Sequence, residues 1–332
     1  MSLKYVRYSV IASLVVLILL LNPCCAEKVD EQSYDLEELA PASSEDVVMV
    51  AVGDVMLSRM VGETIREKDD PEIPFVETAG ILQEADIAFC NLESPFYEEG
   101  LPVEGEMVFG AAPETVEGLK YAGFDVVSLA NNHFGDQGLD AMLFTLSHLN
   151  ENGIEYTGAG ESGLQAREPA IIESNGVKFA FLGYCDIKSA AKQRYFASSG
   201  KPGTAELTEE NLTRDIQRAR ERAHVVIVSI HWGKEYEELP TERQKTFAHM
   251  AIDSGALLVL GHHPHVVQPV VKYKDGYIFY SLANFVFDQM WSEETTKGLM
   301  VKILFKGDRI EKVEMIKTVI NDLYQPCTED RE

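Results

Sequence analysis

Five short apolar runs, each ending at polar residues able to bind a metal, limit this chain to few folds. Val47–Val52 stops at Gly53-Asp54, and Asp86–Cys90 leads into Asn91-Leu92-Glu93. Phe124–Ala130 leads into Asn131-Asn132-His133, Val225–Ile230 into His231-Trp232-Gly233, and Ala256–Leu260 into Gly261-His262. Runs that are apolar on both faces are the pattern of buried strands. Helical patterns at 113–122, 136–150, 208–222 and 240–253 lie between them. This alternation predicts an α/β fold with covered sheets. Ligands of such sheets bind beyond the carboxyl ends of the strands. Five such endings converging on one sheet edge therefore read as a site. Residues 266–282 carry a hairpin signal at Lys274-Asp275-Gly276, and further strands are expected at 299–305 and 309–317. These predict a second, more antiparallel sheet packed on the first.

The 332 residues allow one large α/β domain or two small ones. Lys4 and Arg7 precede an apolar run from Val10 to Leu21, then Cys24, Cys25 and Ala26. That order predicts a signal peptide or an N-terminal membrane anchor over 1–26, with lipidation at Cys24 or Cys25 a third option. It places the following domain outside the cytoplasmic membrane, secreted or anchored by this segment. Residues 27–46 hold eight acids and one lysine and read as a solvated linker, with the domain spanning 47–325. Cys90, Cys185 and Cys327 show no disulfide or CxxC spacing, and the first two sit in apolar contexts. A net charge of −25 argues against nucleic acid as a partner. It also repels an anionic substrate unless bound cations reverse the sign locally.

Asp54, after a glycine that permits close approach, suits a divalent metal and is a catalytic candidate, although taken alone it reads as a turn or N-cap for a helix near 58–67. Glu93 offers a hard oxygen ligand, while Asn91 offers an amide oxygen for metal or substrate; both also fit a surface turn. Asn132 offers a carbonyl oxygen, and His133 is the candidate general acid, because histidine titrates near neutral pH. Asp136 reads as the N-cap of the helix that follows. The chain has eight histidines, and four of them, His231, His262, His263 and His265, cluster at the ends of two strands. His262 and His265 are spaced so that one bend, stiffened by Pro264, aims both at one metal, leaving His263 to face substrate or solvent. Asn284, in Ser281-Leu282-Ala283-Asn284-Phe285, supports the site or substrate, or marks a strand-end turn. Oxygen ligands with imidazoles suit one or two divalent ions of the Mn, Fe or Zn kind rather than Ca.

VAVGDVMLSR, FCNLESP, VVSLANNHFGDQG, VSIHWGKEY, LGHHPHVVQPV and YSLANFVFDQ, in this order from Val48 to Gln289, together resemble the CapA family. That family comprises capsule and poly-gamma-glutamate synthesis proteins related to calcineurin-like metallophosphoesterases. The resemblance implies a four-layer α/β/β/α sandwich. It implies Asp54, Glu93, Asn132, His231, His262 and His265 as metal ligands, with His133 matching the general acid. Metallophosphoesterases usually carry DxH on the first strand; here it is Asp54-Val55-Met56, and Met56 is a poor ligand for a hard cation. Ala283 stands where the family has glycine. The resemblance implies a role in making or exporting an anionic polymer, within a capsule-synthesis complex. The chemistry it implies is hydrolysis of a phosphoester-type substrate, transfer, or non-catalytic polymer handling through a bound cation.

Overall fold

The computed structural model describes residues 39–97, 107–187 and 195–329. The leader reading for 1–26 lies outside these residues. No helix among the described residues is long and apolar enough to cross a membrane.

Two mixed sheets face each other. In the first, β1 (Asp46–Val55), β2 (Ile87–Leu92), β3 (Val126–Ser128) and β4 (Glu155–Thr157) run parallel. Short β5 (Ala159–Gly160) pairs outside both sheets with β8 (Gly203–Thr204). The second sheet holds β6 (Ala170–Ser174), β7 (Val177–Cys185), β9 (Val225–His231), β10 (Leu258–His262), β11 (Val270–Tyr273) and β12 (Gly276–Phe279), in the order β11-β12-β10-β9-β7-β6. β13 (Asn284–Val286) returns to the first sheet parallel to β1. β14 (Lys297–Lys306), β15 (Arg309–Ile320) and β16 (Pro326–Thr328) extend that sheet antiparallel beyond β1.

The five metal-competent strand ends thus do not share one sheet: three belong to the first sheet and two to the second. The strands at 299–317 join the first sheet instead of forming a separate antiparallel one, because β14 pairs along most of β1. The hairpin at 266–282 forms as β11 and β12, with Lys274 at φ 52 in its turn.

The period-2 pattern of β1 explains the layering. Val47, Met49 and Ala51 pack between the sheets with Phe89, Phe181, Ile227 and Leu260. Val50 and Val52 face the helices α1 (Arg59–Lys68), α2 (Ala79–Gln83), α3 (Val116–Ala122) and α4 (Gly138–Glu151). α5 (Glu209–Arg220) and α6 (Glu242–Ser254) cover the outer face of the second sheet through Leu212, Ile216, Phe247 and Ala251. The result is the α/β/β/α sandwich. Phe89 and Phe181 stack across the inter-sheet core at 5.7 Å, an aromatic contact adding about 1 kcal/mol beyond its buried area.

α6 starts at a capping box between Thr241 and Gln244, and ends at Gly255 with φ 110, as its sequence dictates. α4 differs from expectation. Its N-cap is Gln137, whose side chain donates to Phe109 O and does not cap the helix, and the Asp136 carboxylate is engaged by His133 and by the Phe109 amide. The linker also ends earlier than composition suggested. His224 Nε2–H donates to Ala40 O at 2.7 Å, and Gly307 N donates to Glu45 O at 3.3 Å, so residues 40–45 lie against the domain. At the other end β16 runs past residue 325 and pairs with β15.

Candidate metal centre

Strand register brings the chemistry together. Asp54 at the end of β1 has Asn91 of β2 and Asn284 of β13 as its lateral partners. In the facing sheet His262 of β10 lies beside His231 of β9. Gly53 makes the first row possible: a Cβ there would stand 1.8 Å from Ala283 O. This close approach lets Asp54 N donate to Ala283 O at 2.9 Å.

Asp54, Glu93 and His231, all buried, present donor atoms that lie within 4.8 Å of one another. Asn91 sits among them, its Nδ2 donating to Asp54 Oδ1 at 2.9 Å and to Glu93 Oε1 at 3.1 Å. His231 Nδ1 lies 3.7 Å from Glu93 Oε1, while its Nε2 meets Asn132 Oδ1 at 2.6 Å. Asn132 is therefore placed to fix the orientation and tautomer of His231. Asn91 is fully buried, and Asn131 Nδ2 approaches its oxygen at 3.3 Å. The Asn91 amide thus links the two acids.

Electrostatics at these acids are opposed. Burial alone would raise Asp54, but the hydrogen bond and charge of His262, with help from His265 and Asn91, hold it below the usual carboxylate range. Burial pushes Glu93 well up, and the neighbouring Asp54 charge adds to the shift. Burial holds His231 well below its ordinary value, reinforced by His263, His262 and His265.

The Gly261-His262-His263-Pro264-His265 turn sorts its histidines differently from the spacing argument. His263 and His265 take positive φ, 97 and 58, and join Glu235 in a second donor group whose atoms lie within 4.8 Å of one another. His262 instead turns into the sheet, with Nδ1 3.0 Å from Asp54 Oδ1. His265 Nδ1 lies 3.6 Å from Asp54 Oδ2, so His262 and His265 both reach Asp54, while the left-handed residue at 263 sets His263 beside His265 and Glu235. Asn284 donates Nδ2 to Gln289 Oε1 and Thr295 O, so its Oδ1 accepts from His265 Nδ1–H at 2.8 Å. That leaves His265 Nε2 as the donor atom. Asn284, fully buried, positions a histidine. His263 is held down to about 3, by burial first and then by the His265 charge.

His133 lies close enough for its charge to depress His231, His263 and His265. Its Nδ1–H donates to Asp136 Oδ2 at 2.7 Å, and its ring stacks on Phe109 at 3.8 Å. This fixes the tautomer that leaves Nε2 open. Arg59 forms an ion pair with Asp288 and lies 4.8 Å over the Phe109 ring. Met56, fully buried in the helix-side core, takes a hydrogen bond from Ser58 N on its sulfur and stays out of the site. A cleft of about 280 Å³ beside Arg59, lined also by Ser58, Arg66 and Tyr97, includes none of the donor residues.

The donor chemistry fits a divalent cation. Carboxylates and imidazoles converge, and two buried acids stand side by side with no arginine or lysine paired to them among the described residues. Glu93 Oε2 and His262 Nε2 are buried without a hydrogen-bond partner. Such orphans call for an explanation, and for the Glu93 oxygen a cation supplies it.

Sequence reasoning missed Glu235 and the Asp136 partnership with His133. Glu235 lies four residues past His231 in a segment already noted for its motif, so an acid close behind a ligand strand was the available signal. Asp136 was read as a helix cap because its position in sequence fits one equally well.

The four-layer sandwich, with donors at facing strand ends, defines a metallophosphoesterase-like fold. A novel phosphatase from Mycoplasma pneumoniae superposes with a TM-score of 0.52 at 15% identity, covering 83% of this chain and 94% of that one. A hypothetical protein from Thermus thermophilus gives 0.50 at 16% identity, covering 81% and 98%. Residues 48–289 match the family of bacterial capsule synthesis protein PGA_cap, and the chain belongs to that family. The capsule biosynthesis protein CapA of Bacillus anthracis is 34% identical over 80% of this chain and 66% of its own length. The PGA biosynthesis protein CapA of Bacillus subtilis (strain 168) is 33% identical over 77% and 68%. The match thus spans about two thirds of each relative.

Proposed function

We propose that this protein is a metal-dependent hydrolase of the phosphoester type, acting outside the cytoplasmic membrane in the synthesis of an anionic capsule polymer. The observation that carries the reading is the buried Asp54, Glu93 and His231 group, with an unpartnered Glu93 oxygen and the His133–Asp136 pair close by. A divalent cation of the Mn, Fe or Zn kind held there supplies positive charge against the substrate and against the charge that develops during reaction. Asn91 keeps the two carboxylates parted and oriented, and Asn132 fixes His231. Water adds across the scissile P–O bond: a P–OH bond forms, and the bond to the leaving oxygen breaks. Protonated His133 gives its Nε2 proton to that oxygen, while Asp136 holds Nδ1–H and stabilises the ring's charge before transfer; the proton lost by the attacking water passes to solvent, from which His133 is reprotonated. The basic-then-apolar order of the N-terminus supports export or anchoring, and the capsule-synthesis relatives support a polymer-related substrate and a place in a synthesis complex.

A second reading is an assembly factor that grips an anionic polymer through the bound cation without turnover. Met56 favours it, since the first strand contributes no imidazole. The two are separated by assaying the Mn-loaded protein on a panel of phosphodiesters and gamma-glutamyl peptides. Hydrolysis is expected. His231→Ala should lose both metal and turnover, and His133→Ala should keep its metal and lose turnover by about 10²–10⁴-fold. Wild-type turnover in His231→Ala would contradict the hydrolase, and bound metal with no turnover of any substrate would establish the assembly factor.

A further inference from the structure

We propose that Glu235 is a metal ligand, which with His263 and His265 holds a second ion beside the one assigned to Asp54, Glu93 and His231. The inference rests on the metal-centre reading above. It adds a ligand that the sequence pattern did not mark and reassigns His263 from substrate to metal.

Three observations carry it. Glu235, His263 and His265 offer donor atoms within 4.8 Å of one another, and both histidines are buried. The loop that delivers Glu235 is tied to the histidine turn, because Tyr236 N donates to Pro264 O at 2.8 Å. Tyr236, His263 and His265 all sit at positive φ, 63, 97 and 58. Left-handed backbone at three non-glycine residues costs free energy at each, and it is retained where the surroundings impose it, as at ligand sites. Asn284 adds direction, for it engages His265 Nδ1 and leaves Nε2 as the donor.

The group also adjoins the first one. His231 and His263 ring centroids are 4.7 Å apart, and Asp54 Oδ2 is 3.6 Å from His265 Nδ1. Asp54 thus borders both donor groups. Met56, where a histidine would otherwise contribute to such a centre, is packed in the helix-side core and bonded to Ser58 N. Glu235 reaches the centre from the opposite sheet and makes good the missing donor with a carboxylate. A carboxylate in place of an imidazole also hardens the donor set, and so favours Mn over softer ions there.

Metal stoichiometry tests this directly. The purified protein is stripped with chelator and titrated with MnCl₂ by calorimetry, with native mass spectrometry counting the ions retained. Wild type should take two equivalents, and Glu235→Gln one. Glu238→Ala, on the exposed part of the same loop, should still take two. Thermal unfolding of each stripped protein shows that the variants are folded. Two ions in Glu235→Gln would overturn the proposal. One ion in wild type, lost in His231→Ala, would overturn it while leaving the first metal site standing. No ion in wild type would overturn both.

Discussion

Asp54 and Glu93 are fully buried neighbours whose protonation is driven in opposite directions, Asp54 by histidine contacts and Glu93 by desolvation. The histidines around them are held neutral by burial, His263 down to about 3 and His231 well below its ordinary value. Unfolding returns them to about 6.5. The unfolded chain then takes up protons that the folded, metal-free chain refuses. Stability present above pH ~6.5 is therefore lost as pH falls toward the folded values, by up to roughly 2 kcal/mol per histidine at pH 5. Glu93 acts with the opposite sign, but its contribution is present below its ordinary value of 4.5 and fades as pH rises through its raised folded value. The chelated protein should melt lower at pH 5.0 than at pH 7.5, by about 5 °C or more. An unchanged melting temperature in a Glu93→Gln background, where the opposing carboxyl is removed, would show that these histidines are not held neutral. At this scale Asp54, Glu93 and His231 were legible, because each sits at the end of an apolar run. Glu235 was not, since its approach depends on left-handed Tyr236 and on a contact to Pro264. The place of His263 beside Glu235 and His265 was hidden for a like reason: one positive φ redirects the turn.

Strand and helix positions were legible because their apolar periodicity is strong, and α5 and α6 match their sequence patterns within two residues. Sheet membership was not, because run composition does not say which strand pairs with which. β14 lies along β1 through long-range pairing that no local pattern encodes. The β6–β7 hairpin was also passed over, although Asn175-Gly176, both at positive φ, is a strong hairpin signal between apolar stretches. The junction of β1 with β13 is the element on which the site depends most. Gly53→Ala would drive a methyl group into Ala283 O, and β13 would have to leave β1 and take Asn284 with it. We expect a loss of about 3 kcal/mol or more in chemical denaturation. Gly80→Ala, with nothing within 4 Å, should be neutral or stabilising by up to about 1 kcal/mol. Equal effects at the two positions would refute the close-approach argument.

Across the whole molecule, two sheets with outer helices bring strand ends from both halves of the chain to one rim. Neither sheet alone holds a full ligand set: Asp54 and Glu93 come from the first, and His231, His263 and His265 from the second or the turn after it. The resemblance to capsule-synthesis proteins gave the sandwich correctly, since its motifs are strand endings and survive in linear sequence. A net charge of −25 sharpens the functional question, for such a surface repels an anionic polymer except where cations gather. The account therefore stands or falls on an ion among Asp54, Glu93 and His231. Anomalous diffraction from crystals grown with MnCl₂ tests it most directly. The account predicts a manganese peak within bonding distance, about 2.0–2.3 Å, of one atom from each of these three residues. A clean map at that position at saturating Mn, with Asn91 still donating to both Asp54 and Glu93, would contradict it.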